Sequence, residues 1–219
     1  LFRSIISTGM TKEVQRVEAA IDEALKGKSC ALISSGDPGI YAMSGLVFEM
    51  CQQKNISVAL LSSAAQGQNA ESLQVEIVPG IPALCAGASL LGSPISHDFA
   101  VISLSDLLTP WEIIENRIKC AAMADFVLAF YNPKSKKRDW QLQKAQEIIL
   151  KYRSGKTPVG IVTSAMRKEE HTQLIFLENL HLADVNMQTI VFIGNENTTT
   201  YLNYMVTPRG YAKKYSFCQ

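Results

Sequence analysis

The segment Ser34-Ser35-Gly36-Asp37-Pro38-Gly39-Ile40-Tyr41 lies between an apolar run at 30–33 and a stretch with helical spacing at 41–51. This order predicts a buried strand at 29–34, then a glycine-rich loop, then a helix. A loop of this kind lies at the carboxyl end of its strand, where open α/β sheets bind ligands. Asp37 would repel a phosphate, so the loop favours a ligand that has a cationic part or hydroxyl groups.

The composition excludes several classes of protein. The chain has 219 residues, a formal net charge of +1 and five scattered cysteines. A nearly neutral chain has no general basic field, so we expect no nucleic-acid partner. No apolar run approaches the roughly 18 residues of a membrane span, so we expect no membrane partner. Cysteines in apolar contexts without a C-x-x-C pair predict reduced thiols and a cytoplasmic protein.

Apolar strand patterns alternate with helical patterns along the whole chain, which predicts an α/β fold with mainly parallel sheets. A break near 93–99 divides the pattern into two lobes, 1–97 and 98–219. Loops at the predicted strand ends would then share one side of each sheet. Five segments are of this type: 35–40, 79–83, 131–135, 164–167 and 194–198. Each could simply end a strand, but together they favour a ligand-binding cleft.

Charged residues beside these loops leave two interpretations open. His97 and Asp98 could supply a general acid or base, or form a structural hydrogen-bonded pair. The basic residues could form a solvated face, or a rim that attracts a polyanionic substrate. The basic clusters are Lys134, Lys136, Lys137 and Arg138; Arg167 and Lys168; and Arg209, Lys213 and Lys214.

Several common motifs are absent from the sequence. There is no G-x-S-x-G, no G-x-x-x-x-G-K-[ST] and no G-x-G-x-x-G, so serine hydrolases, P-loop NTPases and Rossmann dehydrogenases find no support. The three histidines are dispersed and lack carboxylates at metal-binding spacing, so we expect no protein-bound metal.

The glycine-rich loop and five further segments resemble the tetrapyrrole methyltransferase family, the class III S-adenosylmethionine enzymes. Within it, the four segments from His97 onwards resemble the precorrin-3B C17-methyltransferase branch, which includes the anaerobic cobalt-factor III enzyme. The resemblance covers essentially the whole chain. The five segments are Val78-Pro79-Gly80-Ile81-Pro82-Ala83, His97-Asp98-Phe99, Ile102-Ser103-Leu104-Ser105-Asp106-Leu107-Leu108-Thr109-Pro110-Trp111, Phe130-Tyr131-Asn132-Pro133-Lys134-Ser135 and Thr207-Pro208-Arg209-Gly210-Tyr211.

This resemblance implies two α/β lobes with a cleft between them, a homodimer, and S-adenosylmethionine as the methyl donor. It implies methyl transfer to C-17 of a tetrapyrrole with ring contraction, in cobalamin biosynthesis. The implied cofactor-binding residues are Ser35, Gly36, Asp37, Ile40, Pro82, Ala83, Asn132 and Ala165. The candidates for the proton movements of ring contraction are His97, Asp98 and Asp106. The basic residues Lys134, Lys136, Arg138 and Arg167 would bind the substrate's carboxylates.

The chain departs from the family pattern at its start. The family opens with a strand and a glycine-rich loop, whereas Leu1 aligns after that element. We therefore expect a form without the first strand, which would bind ligands less well. Two alternatives stay open: another reaction of the same family, and a ligand-binding module without turnover.

Overall fold

A computed structural model describes residues 4–9, 12–60, 72–135 and 138–216. The chain forms two compact units, Leu1–Pro82 and Ala83–Gln219. The sequence placed the division at 97/98, whereas the helix that begins at Ala83 packs on the sheet of the second unit and belongs to it.

The first unit contains helices α1 (Glu13–Leu25) and α2 (Ser44–Gln53) and a parallel pair of strands, β1 (Val58–Leu60) and β2 (Leu73–Val75). Apolar residues of α1 recur at helical spacing and bury one face against α2. The buried residues of this core are Val17, Ile21, Met43, Met50 and Cys51.

The predicted strand at 29–34 is wrong. This segment has no strand assignment and most of its residues are exposed. A strand requires a neighbour to accept and donate its backbone hydrogen bonds, and no described strand pairs with this segment.

The second unit contains a five-stranded sheet with helices on both faces. Its helices are α3 (Ala83–Leu91), α4 (Trp111–Met123), α5 (Gln141–Ile149), a 3₁₀ helix (Leu177–Leu182) and α6 (Tyr211–Lys214). Its strands are β3 (Gly92–Ser93), β4 (Phe99–Ser103), β5 (Val127–Tyr131), β6 (Pro158–Thr163), β7 (His171–Phe176), β8 (Thr189–Ile193), β9 (Thr199–Tyr201) and β10 (Tyr204–Val206).

The main sheet has the order β4-β5-β8-β6-β7 and is mixed. Strands β4 and β5 are parallel, as predicted, because α4 provides the crossover between them. Strand β8 runs antiparallel to both of its neighbours, β5 and β6. Strand β7 also runs antiparallel to β6, because the short segment between them contains no helix to return the chain. A small second sheet has the order β3-β10-β9.

Alternate residues of the strands enter two different cores, as the period of two requires. In β5, Leu128 and Phe130 pack with α4 and α5, whereas Ala129 packs on the opposite face with α3. Helix α3 can lie close to the sheet because Gly160 has no side chain. A Cβ at this position would lie only 2.4 Å from the Leu91 Cδ1 atom. Gly160 therefore leaves the space into which Leu91, the last residue of α3, packs.

Candidate functional site

Asp37 joins the two predicted cofactor loops of the first unit. Its Oδ1 atom accepts a hydrogen bond from the Gly39 amide at 2.8 Å, and its Oδ2 atom accepts one from the Gly80 amide at 3.0 Å. The first hydrogen bond closes the turn within the glycine-rich loop, and the second connects this loop to the loop at 79–82. The carboxylate is therefore a clamp between the two loops.

Glycines permit the close approach of these loops. A Cβ added at Gly80 would lie 2.1 Å from the Gly36 carbonyl oxygen, so no other residue fits there without displacement of the backbone. Gly36 has a φ of +78°, in the left-handed region that favours glycine. The sequence indicated both loops, but the bond across 43 residues could not be read from it.

The two amides also set the charge of the clamp. Hydrogen bonds from Gly80 and then Gly39 hold the pKa of Asp37 below its ordinary value, because they stabilise the ionised carboxylate. The loop therefore carries a fixed negative charge at neutral pH. The other predicted cofactor residues of this unit are also accessible, since Ser35 and Ile40 are exposed and Pro82 is half-buried.

The predicted cofactor residues of the second unit gather at the carboxyl ends of β5 and β6. Ala83 begins α3, and the next amide, Leu84 N–H, donates to the Tyr131 hydroxyl at 2.8 Å. Ala83, Tyr131 and Ala165 all pack against the same apolar cluster. The first backbone amides of a helix have no acceptor within the helix, and the Tyr131 hydroxyl accepts a hydrogen bond from one of them. Tyr131 was not among the predicted site residues.

Asn132 follows Tyr131 with the left-handed φ of +52°, and its Nδ2 atom donates to the Ser103 Oγ atom at 3.0 Å. The Ser103 hydroxyl thus links the ends of the parallel strands β4 and β5. Ser164, directly before Ala165, repeats the left-handed conformation at the end of β6 with a φ of +52°. Non-glycine residues in this region are uncommon, and they concentrate at functional sites.

Asp106 also belongs to this edge of the sheet. Its Oδ2 atom accepts a hydrogen bond from the Gln141 Nε2 atom at 2.9 Å. The nearby Arg138 guanidinium is buried, which lowers the pKa of Arg138, and the Asp106 charge partly opposes that shift. Within the described residues, the Arg138 Nε and Gln141 Oε1 atoms have no hydrogen-bond partner.

The predicted substrate-binding cations differ in accessibility. Lys134 and Arg167 are exposed on the loops that follow β5 and β6, whereas Arg138 is only 8% exposed. Lys136 lies outside the described residues. The exposed pair is therefore better placed than Arg138 to meet a ligand from solvent.

His97 and Asp98 lie at the opposite edge of the sheet from Asp106. They directly precede β4, whose length of five residues separates the two edges by roughly 13 Å. The Asp98 amide donates to the His97 Nδ1 atom at 2.8 Å, and both side chains are exposed. The structure therefore does not bring the three predicted acid–base residues together.

The same distant edge carries a cavity of about 440 Å³ that contains none of the predicted site residues. Arg153 lies in it, almost fully buried, and donates to the Gly194 carbonyl at 2.5 Å. Burial lowers the pKa of Arg153, and Asp125 partly opposes this shift. Because both groups hold loop ends in place, we interpret the cavity as structural.

The described residues contain no group of three or more His, Cys, Asp or Glu side chains that could hold a metal ion. The cysteines of these residues, Cys30, Cys51, Cys85 and Cys120, are unpaired. None of the helices in the described ranges has the length and apolar character needed to cross a bilayer.

Comparison with known proteins assigns the family. Residues 6–180 match the model of the tetrapyrrole (corrin/porphyrin) methylases. The chain belongs to this family. The family resemblance noted in the sequence is thus confirmed, and the fold is that of the tetrapyrrole methylases.

Two curated relatives of this tetrapyrrole methylase are similar over nearly its whole length. The cobalt-factor III methyltransferase of Priestia megaterium is 48% identical over 99% of this chain, but the chain spans only 38% of that relative's length. The probable cobalt-factor III C(17)-methyltransferase of Salmonella typhimurium is 44% identical over 95% of this chain and 80% of its own length.

Solved structures agree with this assignment. The crystal structure of the methyltransferase CobJ has a TM-score of 0.78 and 32% identity, and the match covers 92% of this chain and 79% of that one. A uroporphyrin-III C-methyltransferase from Thermus thermophilus, solved in complex with S-adenosylhomocysteine, has a TM-score of 0.55 at 17% identity over 84% of this chain and 74% of that one. At that identity the second likeness supports the fold alone.

Proposed function

We propose that this tetrapyrrole methylase transfers a methyl group from S-adenosylmethionine to C-17 of precorrin-3B or cobalt-factor III, with ring contraction, in cobalamin biosynthesis. A relative named cobalt-factor III methyltransferase is 48% identical to the chain, and one named probable cobalt-factor III C(17)-methyltransferase is 44% identical. The structural observation that carries the proposal is the clamp at Asp37, which holds the two predicted cofactor loops together.

The residues of the first unit fit a cationic cofactor. S-adenosylmethionine supplies an electrophilic methyl group on a positively charged sulfonium. Asp37 retains its negative charge because two amides lower its pKa, and that charge complements a cation. Gly36 and Gly80 have no side chain and both are exposed, which suits recognition of a ligand by backbone groups.

The residues of the second unit would position the substrate. Lys134 and Arg167 would pair with carboxylates at the periphery of the tetrapyrrole, because both cations are exposed at the carboxyl edge of the sheet. C-17 of the reduced macrocycle is an electron-rich carbon, so its attack needs no side-chain base. The contribution of the protein is then mainly alignment and the exclusion of water.

Ring contraction requires proton movement as well. Of the predicted candidates, Asp106 shares the edge of the sheet that carries Asn132 and Ala165, and Gln141 holds its carboxylate in place. We therefore favour Asp106 over His97 and Asp98 for this role.

Product analysis tests the proposal. The protein is incubated with S-adenosylmethionine and, separately, with cobalt-factor III or precorrin-3B, and the products are identified by mass spectrometry. We expect one of these two tetrapyrroles to gain one methyl group at C-17. Methylation of a different tetrapyrrole would indicate another reaction of the family, and calorimetric binding of S-adenosylhomocysteine without any turnover would indicate a ligand-binding module.

We also propose that the protein is a cytoplasmic homodimer that needs no metal of its own. The unpaired cysteines are consistent with a reducing compartment. Light scattering of the purified protein measures its mass, and a monomer would refute the dimer. Unchanged turnover of a metal-free substrate after treatment with a chelator would support the absence of a protein-bound metal.

A further inference from the structure

Two adjacent leucines at the carboxyl edge of the second unit are almost completely exposed. Leu107 is 82% exposed and Leu108 is 94% exposed, on the segment that joins β4 to α4. Single exposed apolar side chains are common on protein surfaces. Two further exposed apolar side chains lie on the loops that follow β5 and β6 at the same edge: Trp140, which is 44% exposed, and Met166, which is 63% exposed.

The segment that presents the leucines is fixed on both sides. Before them, Leu104 is fully buried and its amide donates to the Tyr131 carbonyl at 3.0 Å. Next to Leu107, Asp106 accepts the hydrogen bond from the buried Gln141. Beyond them, the ring of Trp111 packs edge-to-face with Trp140 at a centroid distance of 4.9 Å. The leucines are therefore held in solvent by a constrained backbone.

Cationic groups lie at the same edge of the sheet as this apolar pair. Arg138, only 8% exposed, is near enough to Asp106, the residue directly before Leu107, for their charges to interact. Lys134 and Arg167 are exposed on the two loops that follow β5 and β6 at the same edge. An apolar surface with cations around it complements a flat apolar ring system that carries carboxylates at its periphery.

We propose that Leu107 and Leu108 form an apolar platform against which one face of the tetrapyrrole macrocycle packs. In this arrangement the exposed cations bind the peripheral carboxylates. The Asp106–Gln141 hydrogen bond fixes the position of the backbone that carries the two leucines. The inference rests on the proposed function, since it identifies the part of the chain that recognises the substrate of that reaction.

Replacement of the leucines by serine tests the platform. We expect L107S and L108S each to raise the KM for the tetrapyrrole about tenfold, because a buried leucine contributes roughly that factor to binding. The Kd for S-adenosylhomocysteine should stay within about twofold of the wild-type value, because the cofactor residues are unchanged. The double variant L107M/L108M, which retains an apolar surface, should restore a KM close to that of the wild type.

Leu182 provides the matched control. It is 73% exposed and ends the 3₁₀ helix that follows β7. The 3₁₀ helix starts at the opposite edge of the sheet, because Phe176, directly before it, pairs with Pro158, the first residue of β6. Leu182 lies on none of the loops that carry the two leucines and the exposed cations. L182S should therefore leave both constants unchanged.

Three outcomes separate the platform from the proposed function. An active wild type with unchanged KM values in L107S and L108S would overturn the platform alone. A wild type that binds the tetrapyrrole, followed by its absorption spectrum, but never methylates it would overturn the proposed function, and loss of that binding in the serine variants would still support the platform. A change of oligomeric state in the serine variants, measured by light scattering, would overturn the platform and assign the leucines to a contact between copies of the chain.

Discussion

At the scale of single residues, Asp37 has two functions that depend on the same charge. Its carboxylate accepts the amides of Gly39 and Gly80, and its ionised form supplies the negative charge that a cationic cofactor would meet. Asparagine has the same shape but only one side-chain oxygen. D37N would therefore leave one of the two amides without its acceptor and would remove the charge.

The stability of D37N should depend on pH less than that of the wild type. Because the pKa of Asp37 is lower in the folded than in the unfolded chain, its ionised form stabilises the fold at pH values above its ordinary pKa of about 4. This contribution is lost as the pH falls through the lowered pKa. Thermal unfolding of both proteins should show the wild type more stable near neutral pH, and the difference should narrow in acid.

The control for this experiment is D184N. Asp184 is exposed and lies in the second unit, outside the two loops that Asp37 joins, so D184N removes one carboxylate charge without affecting the clamp. If the difference between D37N and the wild type were the same at all pH values, Asp37 would not be held ionised by the two amides.

At the scale of elements, the contact between the two loops of the first unit depends on Gly80. A methyl group at this position would lie 2.1 Å from the Gly36 carbonyl oxygen, so the loops must separate in G80A. Overpacking of this kind costs about 1–3 kcal/mol. We expect G80A to lower the free energy of unfolding by that amount, measured by denaturant titration, and to weaken the binding of S-adenosylhomocysteine measured by calorimetry.

Gly45 supplies a matched control on α2. A Cβ at Gly45 would meet nothing within 4 Å, so G45A should be neutral or stabilise the protein by up to about 1 kcal/mol through its higher helix propensity. Equal effects of G80A and G45A on cofactor binding would show that the close approach of the two loops is not needed for the site.

The elements show which parts of the fold the sequence could predict. Apolar runs such as those of β5 and β8 predicted buried strands correctly, because both faces of these strands are covered and every residue of β8 is buried. The order of the strands was not predictable, because the antiparallel β8 lies between β5 and β6 through contacts that no local pattern encodes. The segment 29–34 has the composition of a strand, but composition does not supply a neighbouring strand.

The candidate site also has a part that the sequence could predict and a part that it could not. Glycine and proline punctuation located the loops at 35–40 and 79–83, because turn residues have local causes. The bonds from Leu84 to Tyr131 and from Gln141 to Asp106 join residues 47 and 35 positions apart, so they appeared only in the fold. For the same reason, the pairing of His97 with Asp98 in sequence gave no information about their distance from Asp106.

At the scale of the whole molecule, the net charge of +1 means that a polyanionic substrate gains little from a general electrostatic field. Attraction must therefore come from individual cations placed beside the site. Lys134 is exposed on the loop after β5, whereas Lys156 is exposed two residues before β6, at the opposite edge of the same sheet. The two lysines carry equal charge on opposite edges of one unit.

Replacement of each lysine by alanine changes the net charge equally and so separates local from global electrostatics. We expect K134A to raise the KM for the tetrapyrrole several-fold, with little change in the KM for S-adenosylmethionine. The expected factor is modest because a solvent-exposed ion pair contributes only about 0.2–1 kcal/mol. The effect should shrink as salt is added, since exposed charges are screened. K156A should match the wild type in both constants. If the two variants weakened substrate binding equally, the attraction would be a property of the whole molecule, and Lys134 would have no specific contact with the substrate.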